Sequence, residues 1–342
     1  MTPARAGMLR CALAAGLFGA STPLASRLAD ETGAPVLAGL LYLGAGAAVL
    51  PFAVCQRPSH TWRQGLGRLS VAVAAGGFLG PLLLAAGLAR TSPASVSLLL
   101  NLELVATLLL AGLVFGEHLG SRVLLGGGLV VAAGGLLAWS GSSDVRIGAL
   151  LVVGACLCWG LDNCVTAELV GISPQQVTVA KGLIAGTTNL VVGLSIGSDL
   201  PPAGTVLAAL VIGAVGYGAS TTLWVAGARS LGAARGQLVF SSAPFVGVLV
   251  AWAVLGDDVR LVEVIALALA AVGVLSTIES GHEHPHAHEP VAHAHEHRHD
   301  DGHHDHDHPG QRVEADRHGH DHAHAPTTHA HPHVPDLHHR HG

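Results

Sequence analysis

Ten stretches of about 20 mostly apolar residues fill the first 280 positions, and this feature restricts the possible folds more than any other. A bilayer core of about 30 Å needs roughly 20 residues of helix per crossing. Backbone polar groups in lipid must be paired within that helix. The sequence therefore predicts an all-α integral membrane protein with ten transmembrane helices, over residues 8–29, 34–55, 69–89, 93–115, 120–140, 146–170, 175–197, 204–228, 236–256 and 260–279.

Charge in the short loops predicts the orientation of these helices. Half of all residues are hydrophobic and only 12% are charged, so the lipid bilayer is the first expected partner. If the N-terminus is cytoplasmic, eight loop arginines lie inside and four outside. The positive-inside rule then predicts a multi-pass protein of the inner or plasma membrane with both termini in the cytoplasm.

The apolar part contains an internal repeat with an offset near 140 residues. Leu17-Phe18-Gly19 matches Cys158-Trp159-Gly160, and residues 91–117 align with 231–257. Five helices per copy is an odd number, so the second copy enters the membrane from the opposite side. Inverted repeats of this kind place a substrate site between the two copies near mid-membrane.

Three segments follow from this division. Residues 1–140 and 141–280 are the predicted five-helix repeats, and residues 281–342 form a tail of different composition. The tail carries 4 Lys and Arg against 11 Asp and Glu, whereas residues 1–280 carry 13 against 12. The net charge of −6 is therefore a property of the tail.

The fourth helix of each repeat carries a short motif that resembles a known family. The motif positions read Leu102-Glu103-Leu104 and Ala243-Pro244, and the helices end in Gly116-Glu117 and Gly256-Asp257. This pattern resembles the EamA type of the drug/metabolite transporter superfamily, over residues 8–279. The resemblance implies ten helices in two inverted five-helix repeats and secondary transport of small metabolites.

Polar residues within the apolar stretches are the candidate transport residues, because ionisable groups inside a membrane are costly. A carboxylate could bind a cationic group or a proton, and a lysine could bind an anionic group or pair with a carboxylate. Burial disfavours the charged form of each, so a proton could be exchanged for substrate. The structural alternative is a buried ion pair that fixes helix register. The candidates are Glu103, Asn101, Asp162, Asn163, Lys181 and Pro244, the last as a hinge or a simple kink.

The tail holds 22 of the 24 histidines. It lacks apolar periodicity, so we expect a disordered cytoplasmic segment. Neutral imidazole binds Ni²⁺, Zn²⁺, Co²⁺ and Cu²⁺ well, and we expect divalent transition metal here. A solubilising tail without a metal role is the alternative. The predicted ligands are His282, His284, His286, His288, His293, His295, His297, His299, His303, His304, His306 and His308.

Three functions remain open at this point. The first is a secondary transporter that exports a small metabolite and whose tail binds metal. The second is an efflux transporter of Ni, Co, Zn or Cu fed by the tail, although no histidine lies in a predicted span. The third is a metal-responsive sensor on a transporter scaffold. No nucleophile–base set, phosphate-binding loop or nucleic-acid feature is present in the sequence, so we expect neither an enzyme nor a required cofactor.

Overall fold

Two five-helix repeats form the membrane part of the protein. The computed structural model describes residues 3–29, 31–56, 62–115, 121–139, 142–167, 169, 171–231, 233–278, 282–288, 292–297, 318–323 and 327–333. Within them, eight helical runs are long and apolar enough to cross a membrane, and two shorter ones, Leu124–Trp139 and Leu261–Ser276, complete ten. The predicted all-α membrane fold of two inverted five-helix repeats is confirmed.

The helices are described by their order along the chain. Five are continuous: the first is Pro3–Ala29, the second Ala34–Val54, the fifth Ser121–Trp139, the sixth Ser143–Ala167 and the tenth Leu261–Ile278. The other five are composite. In order they are the third (Leu66–Ala72, Val73–Leu79, Gly80–Leu88, after a 3-10 turn Trp62–Gly65), the fourth (Pro93–Leu99, Leu102–Phe115), the seventh (Pro174–Ala180, Lys181–Ala185, Gly186–Ser195), the eighth (Ala203–Ile212, Gly213–Ala219, Ser220–Leu231) and the ninth (Ala233–Phe240, Ala243–Ala253).

Wide π-helical turns interrupt three of the composite helices. Val73–Leu79 in the third helix and Gly213–Ala219 in the eighth begin 140 positions apart, so the repeat extends to this irregularity. The seventh helix has a further π turn, Lys181–Ala185, whereas the second helix is regular there. Such turns free backbone carbonyls from the regular ladder and are frequent at functional sites.

Glycines allow the second helix to pack tightly in the middle of the bundle. A Cβ at Gly44 would lie 2.2 Å from the carbonyl oxygen of Leu210 in the eighth helix. A Cβ at Gly182 in the seventh helix would lie 2.5 Å from the Cα of Gly46. Small residues drive close helix packing in lipid, where no hydrophobic effect pulls helices together. The second helix is thereby held against both the seventh and the eighth.

The glycine of the second repeat motif, Gly256, lies three residues after the end of the ninth helix. Gly256 has φ of 72°, a backbone conformation that favours glycine, so this position needs that residue type. The equivalent Gly116-Glu117 of the first repeat lies outside the described residues.

The tail differs from the expected disorder where it is described. Strands β1 (His282–His288) and β4 (Thr327–His333) pair antiparallel, as do β2 (Ala292–His297) and β3 (His318–Ala323). Alternation of histidine with other residues has the two-residue period of a strand. Two-stranded pairs alone are marginally stable in water. Of the predicted metal ligands, His299, His303, His304, His306 and His308 lie outside the described residues.

Candidate functional site

A cavity lies between the two repeats, and most of the predicted site residues line it. Its space free of protein atoms is about 530 Å³, including the part open to solvent. Side chains from the first, second, fourth, sixth, seventh, eighth and ninth helices contribute. They are Phe18, Tyr42, Glu103, Trp159, Asp162, Asn163, Lys181, Tyr217, Ser220, Thr221, Trp224 and Phe240.

Asp162 and Lys181 form a buried ion pair. The Lys181 Nζ donates to Asp162 Oδ2 at 2.6 Å and is 2.6 Å from Oδ1. Thr166, one turn further along the sixth helix, donates to Oδ1 at 2.9 Å. Asp162 and Lys181 are 6% and 5% exposed, so both charges depend on each other for compensation. The pairing that the sequence offered as an alternative is therefore present, and together these two groups are neutral.

Glu103 has neutral partners instead. Asn163 Nδ2 donates to its Oε1 at 2.8 Å, and Gln237 Nε2 donates to the same oxygen at 3.2 Å. Asn163 also lies 3.3 Å from Thr107 Oγ1, which places the amide between two residues of the fourth helix. None of the ion pairs found among the described residues involves Glu103. An ionised Glu103 would therefore leave the cavity with an uncompensated negative charge.

Both fourth helices of the repeats are broken beside the cavity. In the first repeat the break falls between Leu99 and Leu102. There Asn101 donates to the Leu98 carbonyl at 3.0 Å, and its Oδ1 has no partner among the described residues. In the second repeat the break falls before Ala243, and Pro244 occupies the first turn of the following segment. Proline is tolerated at such a position because its missing N–H is not needed there. Pro244 thus restarts a helix, and Glu103 and Pro244 follow equivalent breaks.

The carbonyl of Gly76, in the π turn of the third helix, organises one wall of the cavity. Tyr42 Oη donates to it at 2.8 Å and Trp159 Nε1 at 3.0 Å. A Cβ at Gly76 would lie 2.1 Å from Asp162 Oδ2, so only glycine lets the carboxylate approach this turn. The π turn therefore fixes the positions of two aromatic side chains and one acid.

Aromatic side chains concentrate at this cavity. Of the five tryptophans, two tyrosines and six phenylalanines in the chain, six line it, including both tyrosines. Phe18 is central, with ring centroids 5.8 Å from Trp159 and 5.5 Å from both Tyr217 and Phe240. Phe18 and Trp159 are matched positions of the two repeats, so their edge-to-face contact joins the copies directly. The hydroxyl of Tyr217 and the indole N–H of Trp224 are buried and find no hydrogen-bond partner in the part of the chain that the structure describes.

A second polar cluster lies where the tenth helix begins and the fourth helix begins. Glu263, at the start of the tenth helix, is 1% exposed and accepts hydrogen bonds from Arg260, Ser92 and Ser95. The Arg260 guanidinium also donates to the two serine hydroxyls, at 2.9 and 2.8 Å. A further contact uses Leu255, five residues before Arg260, whose carbonyl accepts a hydrogen bond from Arg27 at 2.5 Å. These contacts join the first repeat to the second.

Sequence reasoning missed several of these residues. Gln237, Tyr42, Phe18 and Phe240 carry no charge, so nothing in the apolar pattern separated them from lipid-facing or core positions. Glu263 lies near the start of the predicted helix 260–279 and was not among the predicted site residues. A glutamate flanked by Arg260 was the available signal for a buried pair.

Metal-binding side chains do not converge in the part of the bundle that is described. No group of three or more His, Cys, Asp or Glu side chains with metal-site geometry occurs among the described residues. Cys156 and Cys164 direct their thiols to backbone carbonyls, at 3.7 Å from Leu99 O and 3.8 Å from Thr107 O.

Comparison with known proteins agrees with this architecture. Two relatives are an uncharacterized transporter, YyaM, of Bacillus subtilis, 25% identical over 202 residues, and an uncharacterized protein, PA1977, of Pseudomonas aeruginosa, 34% identical over 165 residues. These matches cover 56% and 47% of this chain and 66% and 56% of the relatives. A crystal structure of a protein shares the fold with a TM-score of 0.59 at 18% identity, covering 79% of this chain and 96% of that one.

A family model decides the classification. The EamA-like transporter family matches residues 5–139 and again 146–278, once for each five-helix repeat. The chain therefore belongs to the EamA-like transporter family.

Proposed function

We propose that this protein exports a small metabolite by alternating access, with the cavity around Glu103 as its substrate site. The observation that carries the proposal is this cavity between the repeats, where Glu103 and the Asp162–Lys181 pair are buried among aromatic side chains. Buried ionisable groups inside a membrane bundle mark substrate or ion pathways. Inverted repeats supply the two alternating conformations.

The geometry supports a cytoplasm-facing state if both termini are cytoplasmic. In that orientation the sixth and eighth helices end in the cytoplasm, and Asp162, Thr221 and Trp224 lie toward those ends. The cluster around Glu263 joins the two repeats at the opposite, outer end, where we expect it to close the bundle. A cavity closed outside and placed toward the cytoplasm is ready to load cytoplasmic substrate, which favours export.

Metal binding by the histidine-rich tail is the second part of the proposal. The tail supplies many imidazoles within a short stretch of chain, and imidazole suits Ni²⁺, Zn²⁺, Co²⁺ and Cu²⁺. We assign it a buffering or sensing role in the cytoplasm, because the metal ligands that a pore would need are not grouped among the described bundle residues.

Metabolite profiling of cells and medium tests the export proposal. Cells express the full chain, the Glu103→Gln variant or the control variant Glu31→Gln. Glu31 is an exposed glutamate, and among the described residues it accepts a hydrogen bond from Thr205. The full chain and the control should move at least one solute from cytoplasm to medium, and Glu103→Gln should not. Identical profiles in all three would contradict the proposal.

A chain that ends at Ser280 tests whether metal is the transported substrate or only a regulator bound by the tail. If the tail only buffers or senses metal, truncation changes the metal response while export of the identified solute persists. A fall in cellular nickel, cobalt, zinc or copper that depends on Glu103 would instead favour metal as the cargo.

A further inference from the structure

The charges, aromatic rings and free donors of the cavity together define a class of ligand. We propose that the cavity binds a small organic monocation with an aromatic or bulky apolar body. This inference rests on the proposed transport function, because it concerns the same site. The two proposals can fail separately. If the protein exports an anion or a neutral solute, the export proposal holds and the cation proposal is wrong.

The charge balance gives the sign of the ligand. Asp162 and Lys181 neutralise each other at 2.6 Å, so neither is available without breaking a buried pair. Glu103 is held by two amide donors, which stabilise its ionised form but bring no positive charge. When Glu103 is ionised, the cavity therefore lacks one positive charge beside it, which a proton or a cationic ligand can supply.

The aromatic rings give the body of the ligand. Phe18 and Phe240 line the cavity together with Glu103, and their ring centroids are 5.5 Å apart. Ring faces attract organic cations, and this attraction grows when the site excludes water. A hydrated inorganic cation would gain little from these rings and would lose its shell, whereas an ammonium with apolar substituents keeps favourable contacts throughout.

Two buried donors add a further preference. Tyr217 and Trp224 line the cavity, and their hydroxyl and indole N–H groups are buried with no hydrogen-bond partner among the described residues. A buried donor left unpaired costs free energy, which a ligand oxygen can recover. Among cations of equal size, those with a hydroxyl, ether or carbonyl oxygen should therefore bind more tightly.

Titration calorimetry on the purified full-length protein tests the sign and the body of the ligand. The probes are benzyltrimethylammonium and benzenesulfonate, which have similar size and opposite charge. The cation should bind and the anion should not. Glu103→Gln should weaken cation binding by about tenfold or more, because the negative charge that attracts the cation is lost. Glu31→Gln should leave it unchanged.

A second pair of variants tests the rings independently of charge. Phe240→Ala should weaken cation binding about threefold or more. Phe52→Ala is the matched control, because that side chain is 65% exposed on the second helix. Equal binding of both probes, no cation binding by the folded protein, or undiminished binding by Glu103→Gln would overturn the inference. Solute export in the profiling experiment would still stand in each of these cases, so the two failures are distinguishable.

Discussion

The ion pair between Asp162 and Lys181 makes the most quantitative prediction about this fold. Lys181→Met removes the positive partner and leaves a buried carboxylate with Thr166 as its remaining described partner. Breaking a buried pair in this way costs about 3–5 kcal/mol, because a charge stays buried without compensation. At the lower coefficient for larger chains, about 2 °C per kcal/mol, the melting temperature should fall by roughly 6–10 °C.

The double variant distinguishes pairing from simple packing. Asp162→Asn combined with Lys181→Met removes both charges and keeps an oxygen for Thr166 to donate to. Replacing both members of a buried pair is often neutral, so the double variant should melt within about 2 °C of the unchanged protein. The measurement is thermal unfolding in detergent, followed by size-exclusion fluorescence. Asp162→Asn and Lys181→Met are also measured singly. If the loss of stability in the double variant equals the sum of the two single losses, the coupling argued from the 2.6 Å contact is refuted.

Three further predictions concern other parts of the chain. Gly44→Ala should destabilise the bundle by about 1–3 kcal/mol, measured by melting, because its Cβ would meet the Leu210 carbonyl at 2.2 Å. Gly204→Ala, with open space around it, should not, and equal melting of the two would contradict the packing argument. Glu263→Gln should lower stability by about 1–2 kcal/mol by weakening charge-assisted hydrogen bonds, and unchanged melting would show that the outer cluster contributes none. A chain ending at Ser280 should lose Ni²⁺ binding in titration calorimetry while keeping its melting temperature, and retained binding would move the metal site out of the tail.

The helices were predictable because lipid imposes a length and a composition on each crossing. The apolar stretches and the polar residues between them predicted ten helices. The offset of about 140 residues between similar segments predicted the repeat. The π turns at Val73–Leu79 and Gly213–Ala219 were not predictable, since hydrogen-bond register leaves no mark in hydropathy. The break before Pro244 was foreseen as a kink, whereas the break at Asn101 had no proline to signal it.

The candidate site was predictable as far as charge reveals burial. Glu103, Asp162 and Lys181 were found because a charge deep in an apolar run is costly, and the structure brings all three to one cavity. Their roles in transport stay predictions. The aromatic lining was not predictable as a set, because Tyr42 or Phe240 could equally face lipid on a helix that is apolar all round. Which face turns inward depends on packing between helices distant in sequence.

The Asp162–Lys181 pair has no equivalent in the first repeat, and this has a consequence for the proposed transport cycle. By the offsets of the repeat, Asp162 and Lys181 correspond to Ser21 and Leu41 in the first copy. If the two copies exchange conformations as the protein turns its opening from one side of the membrane to the other, the reversed arrangement is not the mirror of the original. The two end states therefore have unequal free energies even in an empty protein. Under the proposed alternating-access cycle, the empty protein is therefore expected to rest more often on one side of the membrane than on the other.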